Sequence, residues 1–444
     1  MSTQTSYQKS FTSTIFLSLI SLCLCLGLGS DRLLSQIIPV TNDTSWSEMV
    51  TQTEDGWQLQ YEDYFQGNFK NKRMNGRQIA KQLTEIQSQT GKNVGVIWIK
   101  STGNELLLLL TMPNSTTIGY KIPINQENLS QLIQSFLAEI SQVKKKTQYL
   151  ELSKQLYDLL IAPLEEKLQA NYINTLILCL GEGFRSFPFS ALYDGQKFLI
   201  ERYALTRIPG FNLTEISHDD LHNAKVLAMG ASEFKEQNPL PGVAVELETI
   251  IDTPWSGISV LNKNFTVENL KLLRQKEDFQ ILHLATHASF QPGNPSHSYI
   301  QFADRKLTLA NLKELDLSNP PLELLVLSAC QTALGNKDVE LGFSGLALQS
   351  GVKSALASFW SVSDAGTLAL MSEFYQRLKT TLNKSESLQQ AQVAMIHKQV
   401  YLHTGKLINS RGSVDLPHTL QEETGQDLSH PFYWSSFSLI GSPW

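Results

Sequence analysis

Two apolar runs lead into residues that can do covalent chemistry. ILHLAT (281–286) is followed by His287-Ala288, and LLVLSA (324–329) by Cys330-Gln331-Thr332. If both runs are parallel neighbouring strands, their carboxyl ends carry an imidazole and a thiol on one rim. A free thiol titrates near ~8.5, and a neighbouring imidazolium lowers that value. Such a pair is the minimum apparatus for acyl transfer through a thiol: a nucleophile and a base to take its proton. The amides of Cys330 and of Ala288, the residue after His287, are the donors that would face a developing oxyanion. Taken singly, each residue has a plainer reading, a cysteine as a small buried hydrophobe and a histidine as a satisfied polar group. His283 lies four residues before His287. It reads as structural, because the segment is strand-like and no Glu sits between the two histidines as in a zinc-protease helix.

The surrounding pattern supplies the strands this chemistry needs. Residues 76–90 have helical spacing, with Ile79, Leu83 and Ile86 on one face. Strand-like runs follow at 94–99, 105–111 and 117–124, separated by turn signals. Helical stretches are expected at 127–143 and 147–170, the second with a kink at Pro163. Beyond residue 172 apolar strands alternate with amphipathic helices. The strands are expected at 173–180, 225–230, 257–261, 278–286, 322–329, 353–360 and 432–440. The helices are expected at 243–251, 266–276, 308–316, 341–350, 364–382 and 385–402. This alternation predicts an α/β fold, a mostly parallel central sheet with helices on both faces. In such sheets functional groups lie at the carboxyl ends of the strands. No repeat of helical-solenoid length is visible.

Composition narrows the function classes. The chain has 444 residues, 42% hydrophobic and 18% charged, which is that of a folded globular protein. A net charge of -6 argues against a surface that coats nucleic acid. The four cysteines, Cys23, Cys25, Cys179 and Cys330, are too few for a disulfide scaffold and lack zinc-site spacing. Residues 11–29, FTSTIFLSLISLCLCLGLG, follow Lys9 and end in small residues. They read as a signal peptide cut after Gly29 or as an uncleaved membrane anchor. Either reading makes 1–30 a leader and the protein exported or anchored in the cell envelope, with the cytoplasm as runner-up. Residues 31–60 are polar, with scattered Trp46 and Trp57, and read as a linker.

The segments HLATHASF (283–290) and LVLSACQTALG (325–335) resemble the two signature blocks of the CHAT family, caspase-like proteases often found after tetratricopeptide repeats. Further blocks agree in order: LGEGFRSFPFSALYDGQKFLIERYAL (180–205), VLAMGASEF (226–234), LPGVAVELETI (240–250), SALASFWSVSDAGTLALMSEFYQRL (354–378) and HPFYWSSFSLIGSPW (430–444). The resemblance is specific from about residue 145 to 444 and extends weakly back to about 60. It implies a caspase-hemoglobinase fold and a Cys-His dyad, with His287 and Cys330 at the family's catalytic positions. Ala288 stands at an oxyanion position that caspases usually give to Gly. It further implies a catalytic subdomain over 216–444 and a degenerate caspase-like subdomain over 61–215. The usual upstream helical repeats are replaced by the hydrophobic leader.

In caspase-like enzymes the pocket for the residue before the cut flanks the strand after the nucleophile strand. Here that is SALASFW with Ser361-Val362-Ser363-Asp364. Asp364 then either pairs with a basic substrate side chain or caps the following helix. Trp360 is either a groove wall or a core residue, Trp434 and Phe437 are core of the last strand, and Glu246 and Glu248 face solvent on their helix. The expected function is a cysteine endopeptidase acting on a protein or peptide substrate, with an activating partner as a further expectation. The rival is a silent scaffold of the same fold. Neither calls for a metal, a cofactor or nucleic acid.

Overall fold

A computed structural model describes residues 38–39, 43–143, 148–217, 221–251, 255–332, 334–381, 383–423 and 425–444. The expected leader lies outside the described residues. Among those described, no helix is long and apolar enough to cross a membrane.

The first half opens with β1 (Ile38–Pro39) and α1 (Asp43–Phe65). This helix occupies most of the expected linker. Trp46, Val50, Glu54, Trp57 and Tyr61 recur every three to four residues and are all buried, so the scattered aromatics lie on one face of a helix. Next come α2 (Gly76–Thr90), β2 (Val94–Ser101), β3 (Glu105–Thr111), β4 (Ile118–Pro123), α3 (Gln126–Ile140), α4 (Gln148–Leu160), α5 (Ala162–Ala170), β5 (Thr175–Leu180) and β6 (Ala204–Ile208). A capping box between Asn75 and Gln78 starts α2, and Gly91 with φ 69 ends it. The helix expected over 147–170 is broken rather than kinked, because Pro163 falls in the first turn of α5.

The second half contains β7 (Val226–Gly230), α6 (Val243–Ile251), β8 (Gly257–Leu261), α7 (Val267–Lys276), β9 (Ile281–Phe290), β10 (Tyr299–Gln301), β11 (Lys306–Thr308) and β12 (Leu324–Thr332). It continues with α8 (Lys337–Ser344), α9 (Leu346–Ser350), β13 (Ser354–Ser358), α10 (Asp364–Thr381), α11 (Lys384–Ile396), a small sheet of β14 (Tyr401–His403), β15 (Lys406–Asn409) and β16 (Gly412–Asp415), then α12 (Pro431–Trp434) and β17 (Phe437–Gly441). The last expected strand is thus shorter, and Trp434 sits fully buried in α12.

One mixed, largely parallel sheet joins both halves in the order β1-β4-β3-β2-β5-β6-β17-β13-β12-β9-β10-β11, with β7 beside β9 and β8 beside β7. The run β8, β7, β9, β12, β13 is parallel throughout. Its carboxyl ends therefore share a rim, as the alternating pattern requires. The inner strands β7, β9, β12 and β13 are buried on both faces, which explains their continuous apolar runs, whereas β8 at the edge is partly exposed. Antiparallel β17 borders β13 and lies beside β6, where the Thr206 hydroxyl donates to Gly441 O at 2.8 Å. α1 is anchored by buried Glu54, whose carboxylate accepts from Trp98 Nε1 (2.8 Å) and from the amides of Phe211 (2.6 Å) and Asn212 (2.8 Å). Burial nonetheless pushes that carboxyl up to about 6.

Candidate active site

His287 and Cys330 belong to neighbouring strands. In the β9–β12 ladder His287 lies opposite Ala329, and Ala288 opposite Cys330. Adjacent strands are about 4.8 Å apart and successive residues about 3.3 Å along a strand, so the Cα atoms of His287 and Cys330 are about 6 Å apart. Neither residue ends its strand, since β9 runs on to Phe290 and β12 to Thr332. The extension arises because β10 pairs back onto β9, Ile300 against Ala288. Ala288 thus has a paired strand on each side.

A bulge precedes His287. From Leu284 to His287 β9 advances three residues, while β12 advances two, from Leu327 to Ala329. In a regular strand His283 and His287 would share a face. The extra residue reverses that relation: His283 lies opposite Val326 and His287 opposite Ala329, positions of opposite parity on β12.

The consequence is two different histidines. His283 is fully buried, its Nε2 2.9 Å from Glu246 Oε1 on α6 and its Nδ1 3.1 Å from the Tyr375 hydroxyl on α10. The structural reading of His283 fits this setting. The reading of Glu246 as solvent-facing does not: it is 4% exposed, because its helix turns this position under the sheet toward His283. Glu248 is exposed. Burial, then Glu246, raise the Tyr375 hydroxyl well above its ordinary value.

His287 is half-buried and held by the segment that follows β7. Its Nε2 lies 2.8 Å from Asn238 O, and its ring packs on Phe234 with centroids 4.6 Å apart. A carbonyl only accepts, so Nε2 carries the hydrogen and the neutral ring keeps its lone pair on Nδ1. The loop itself is closed, Leu240 N donating to Ser232 O (3.0 Å), and Ser232 N is fixed to Asn262 Oδ1 (2.8 Å). Asn238 and Phe234 escaped sequence reading. The first acts through its backbone, and the second is one aromatic in a polar stretch.

The same loop reaches the exit of β13. Gly242 N donates to Asp364 Oδ2 at 3.0 Å. Burial, the dominant cause, pushes the Asp364 carboxyl up to about 6, helped by Glu246 and Glu423 and opposed by the Gly242 bond. Asp364 is the first residue of α10, and the hydroxyl of Ser363, not the Asp364 carboxylate, accepts from Gly366 N at 3.2 Å. The expected helix cap is therefore one residue upstream, and Asp364 is turned toward the loop. Trp360 takes its core alternative: it is 6% exposed and donates from Nε1 to Phe432 O at 3.0 Å. Among the described residues no cluster of His, Cys, Asp and Glu could hold a metal.

The CHAT domain profile matches residues 150–442, about two thirds of the chain. The protein belongs to the CHAT-domain family. Curated proteins give no sequence match. Among solved structures, this chain is similar to Saccharomyces cerevisiae separase in complex with securin. One such structure has a TM-score of 0.53 at 12% identity, covering 91% of this chain and 34% of the other. A second has 0.50 at 12%, covering 82% and 31%. The chain thus corresponds to about a third of separase. The Arg-specific cysteine proteinase gingipain R is matched with a TM-score of 0.40 at 12% identity, covering 71% of this chain and 75% of that one. The separase likeness fixes the fold as caspase-like, as the sequence blocks imply.

Proposed function

We propose that this CHAT protein is a cysteine endopeptidase in which Cys330 is the nucleophile and His287 the general base. The observation that carries the proposal is the tethering of His287 Nε2 to Asn238 O, which leaves Nδ1 as proton acceptor one strand from Cys330. Nδ1 takes the thiol proton as sulfur attacks the scissile carbonyl. The imidazolium then gives that proton to the leaving amine, and a thioester remains. Water, deprotonated by the same nitrogen, hydrolyses the thioester and frees the thiol. The register opposes Ala288 and Cys330, which supports their two amides as joint oxyanion donors. For Ala288 to donate, the ladder past His287 must open when substrate enters.

Asp364 is the proposed contact for a basic side chain before the cut. It lies at the exit of the strand beside the nucleophile strand, and a partly buried carboxylate discriminates strongly by charge. A positional peptide library incubated with the parent and with Cys330→Ala tests both parts. Cleavage by the parent alone, with Lys or Arg preferred before the cut, is the expected result. A folded parent that cleaves nothing and whose Cys330 is inert to a thiol probe would transfer the reading to a silent scaffold. Cleavage after apolar or acidic residues would remove Asp364 from the pocket.

A further inference from the structure

β8 is an open edge of the large sheet. Its register with β7 runs from Val226↔Gly257 to Gly230↔Leu261, and Val226 N donates to Ser256 O at 3.0 Å. Backbone groups alternate sides along a strand, so Ile258 and Val260 bond toward β7. Gly257, Ser259 and Leu261 turn their N–H and C=O outward, where no described strand pairs with them. The strand reads GISVL. It lacks the charge, proline or bulge with which edges are usually blunted.

This edge opens into a groove of about 700 Å³. One wall is α6, with Val245, Glu248 and Ile251. The other is the small three-stranded sheet, with Val414 and Asp415 on β16, which among the described strands pairs with β15 alone. Ser259 of this edge lies in the groove between the two walls, where an extended chain would meet it. Val245, Ile251 and Val414 share the lining with Thr249, Ser259, Asn409 and Ser413, two exposed carboxylates and Arg411, whose guanidinium donates to Thr249 O (3.3 Å). Asp415 also pairs with Lys406 at 3.0 Å.

We propose that this groove docks an extended polypeptide segment of alternating basic and apolar residues, which adds a strand to β8. Main-chain hydrogen bonds to Gly257, Ser259 and Leu261 supply the docking, and Glu248 and Asp415 select basic side chains. The proposal concerns a surface outside the His287–Cys330 site and does not depend on catalysis.

The test uses the full chain and a fluorescein-labelled peptide, Lys-Val-Lys-Val-Lys-amide, whose five residues match the length of β8. Saturable anisotropy is expected, together with slowed hydrogen exchange of the Ser259 and Leu261 amides. The peptide N-methylated at every residue cannot pair as a strand and should bind more than about tenfold more weakly. A Glu-Val-Glu-Val-Glu peptide should be weaker by about the same factor. Ser259→Pro removes the central outward donor while leaving the bonds to β7, and should weaken binding with a melting curve close to the parent's. If that variant fails to fold, the N-methylated peptide still decides, because it is measured on the unaltered protein. Absence of saturation by about 1 mM (weaker than about 4 kcal/mol), or indifference to N-methylation, would overturn the proposal. So would protection of β8 without peptide in a self-associated form, which would make a second copy the occupant.

Discussion

His283 and His287 stand four residues apart on one strand and do opposite things. Around His283 the molecule is closed: the ring is fully buried between Glu246 and Tyr375, and both nitrogens face protein groups. Around His287 it is partly open: the ring is half-buried, its Nε2 is tethered to a loop carbonyl, and its strand pairs with the one that carries Cys330. A single extra residue in β9 produces the difference. The same residue type is closed off or left accessible according to which side of the sheet it meets.

Exchanging the two roles by mutation is the sharpest way to break this contrast. His287→Ala should lower peptide cleavage about 10³-fold, the scale of a lost general base, while leaving the unfolding midpoint close to the parent's. His283→Ala should do the reverse. Removing one member of a buried charged or hydrogen-bonded pair costs about 3 kcal/mol, to be read from urea unfolding, with residual folded protein still cleaving peptide. If His283→Ala abolished cleavage without loss of stability, the closed region would have a catalytic part and the contrast would fail.

Carboxylates raised by burial give a smaller effect with a definite sign. Burial raises Glu54 from 4.5 to about 6, so the folded state keeps its proton where the unfolded chain has lost it. The stability tied to that proton is fully present below about pH 4.5 and is lost as pH rises through about 6, a change of about 2 kcal/mol. Glu54→Gln should flatten this part of the profile in unfolding titrations between those pH values. Asp364, raised to about 6 as well, acts in the same direction on stability, but Asp364→Asn should in addition change the preferred residue before the cut. The smallest expected effect belongs to the aromatic partner of His287. Phe234→Leu loses a ring contact of about 1 kcal/mol and should shift the pH dependence of Cys330 alkylation while sparing stability.

Sequence alone made the two candidate positions and their neighbouring strands legible because each follows a long apolar run, and because the alternation of strands and helices in the second half is regular. It could not supply the bulge, since Ala285 and Thr286 are small and carry no turn signal. Glu246 read as exposed because a helix position is buried or free according to its neighbours, and the neighbour that buries it, His283, comes from another element. The helix over Asp43–Phe65 was hidden by its polar residues, whose buried member Glu54 is satisfied only by donors from Trp98 and the 210–212 turn. Asp364 and Ser363 are both good capping residues, and only the backbone path decides which of them faces the helix.

The strand Phe437–Gly441 lies between β6 and β13, and its nearest partner in the first half, Ala204–Ile208, precedes it by more than two hundred residues. On a ribosome the seam between the two halves therefore stays unlaced until the residues near 441 have left the exit tunnel. Whatever the first half contributes to the behaviour of the rim, a nascent chain lacks it. The order of synthesis thus acts as a timer, delivering the complete sheet only once this late strand has been made.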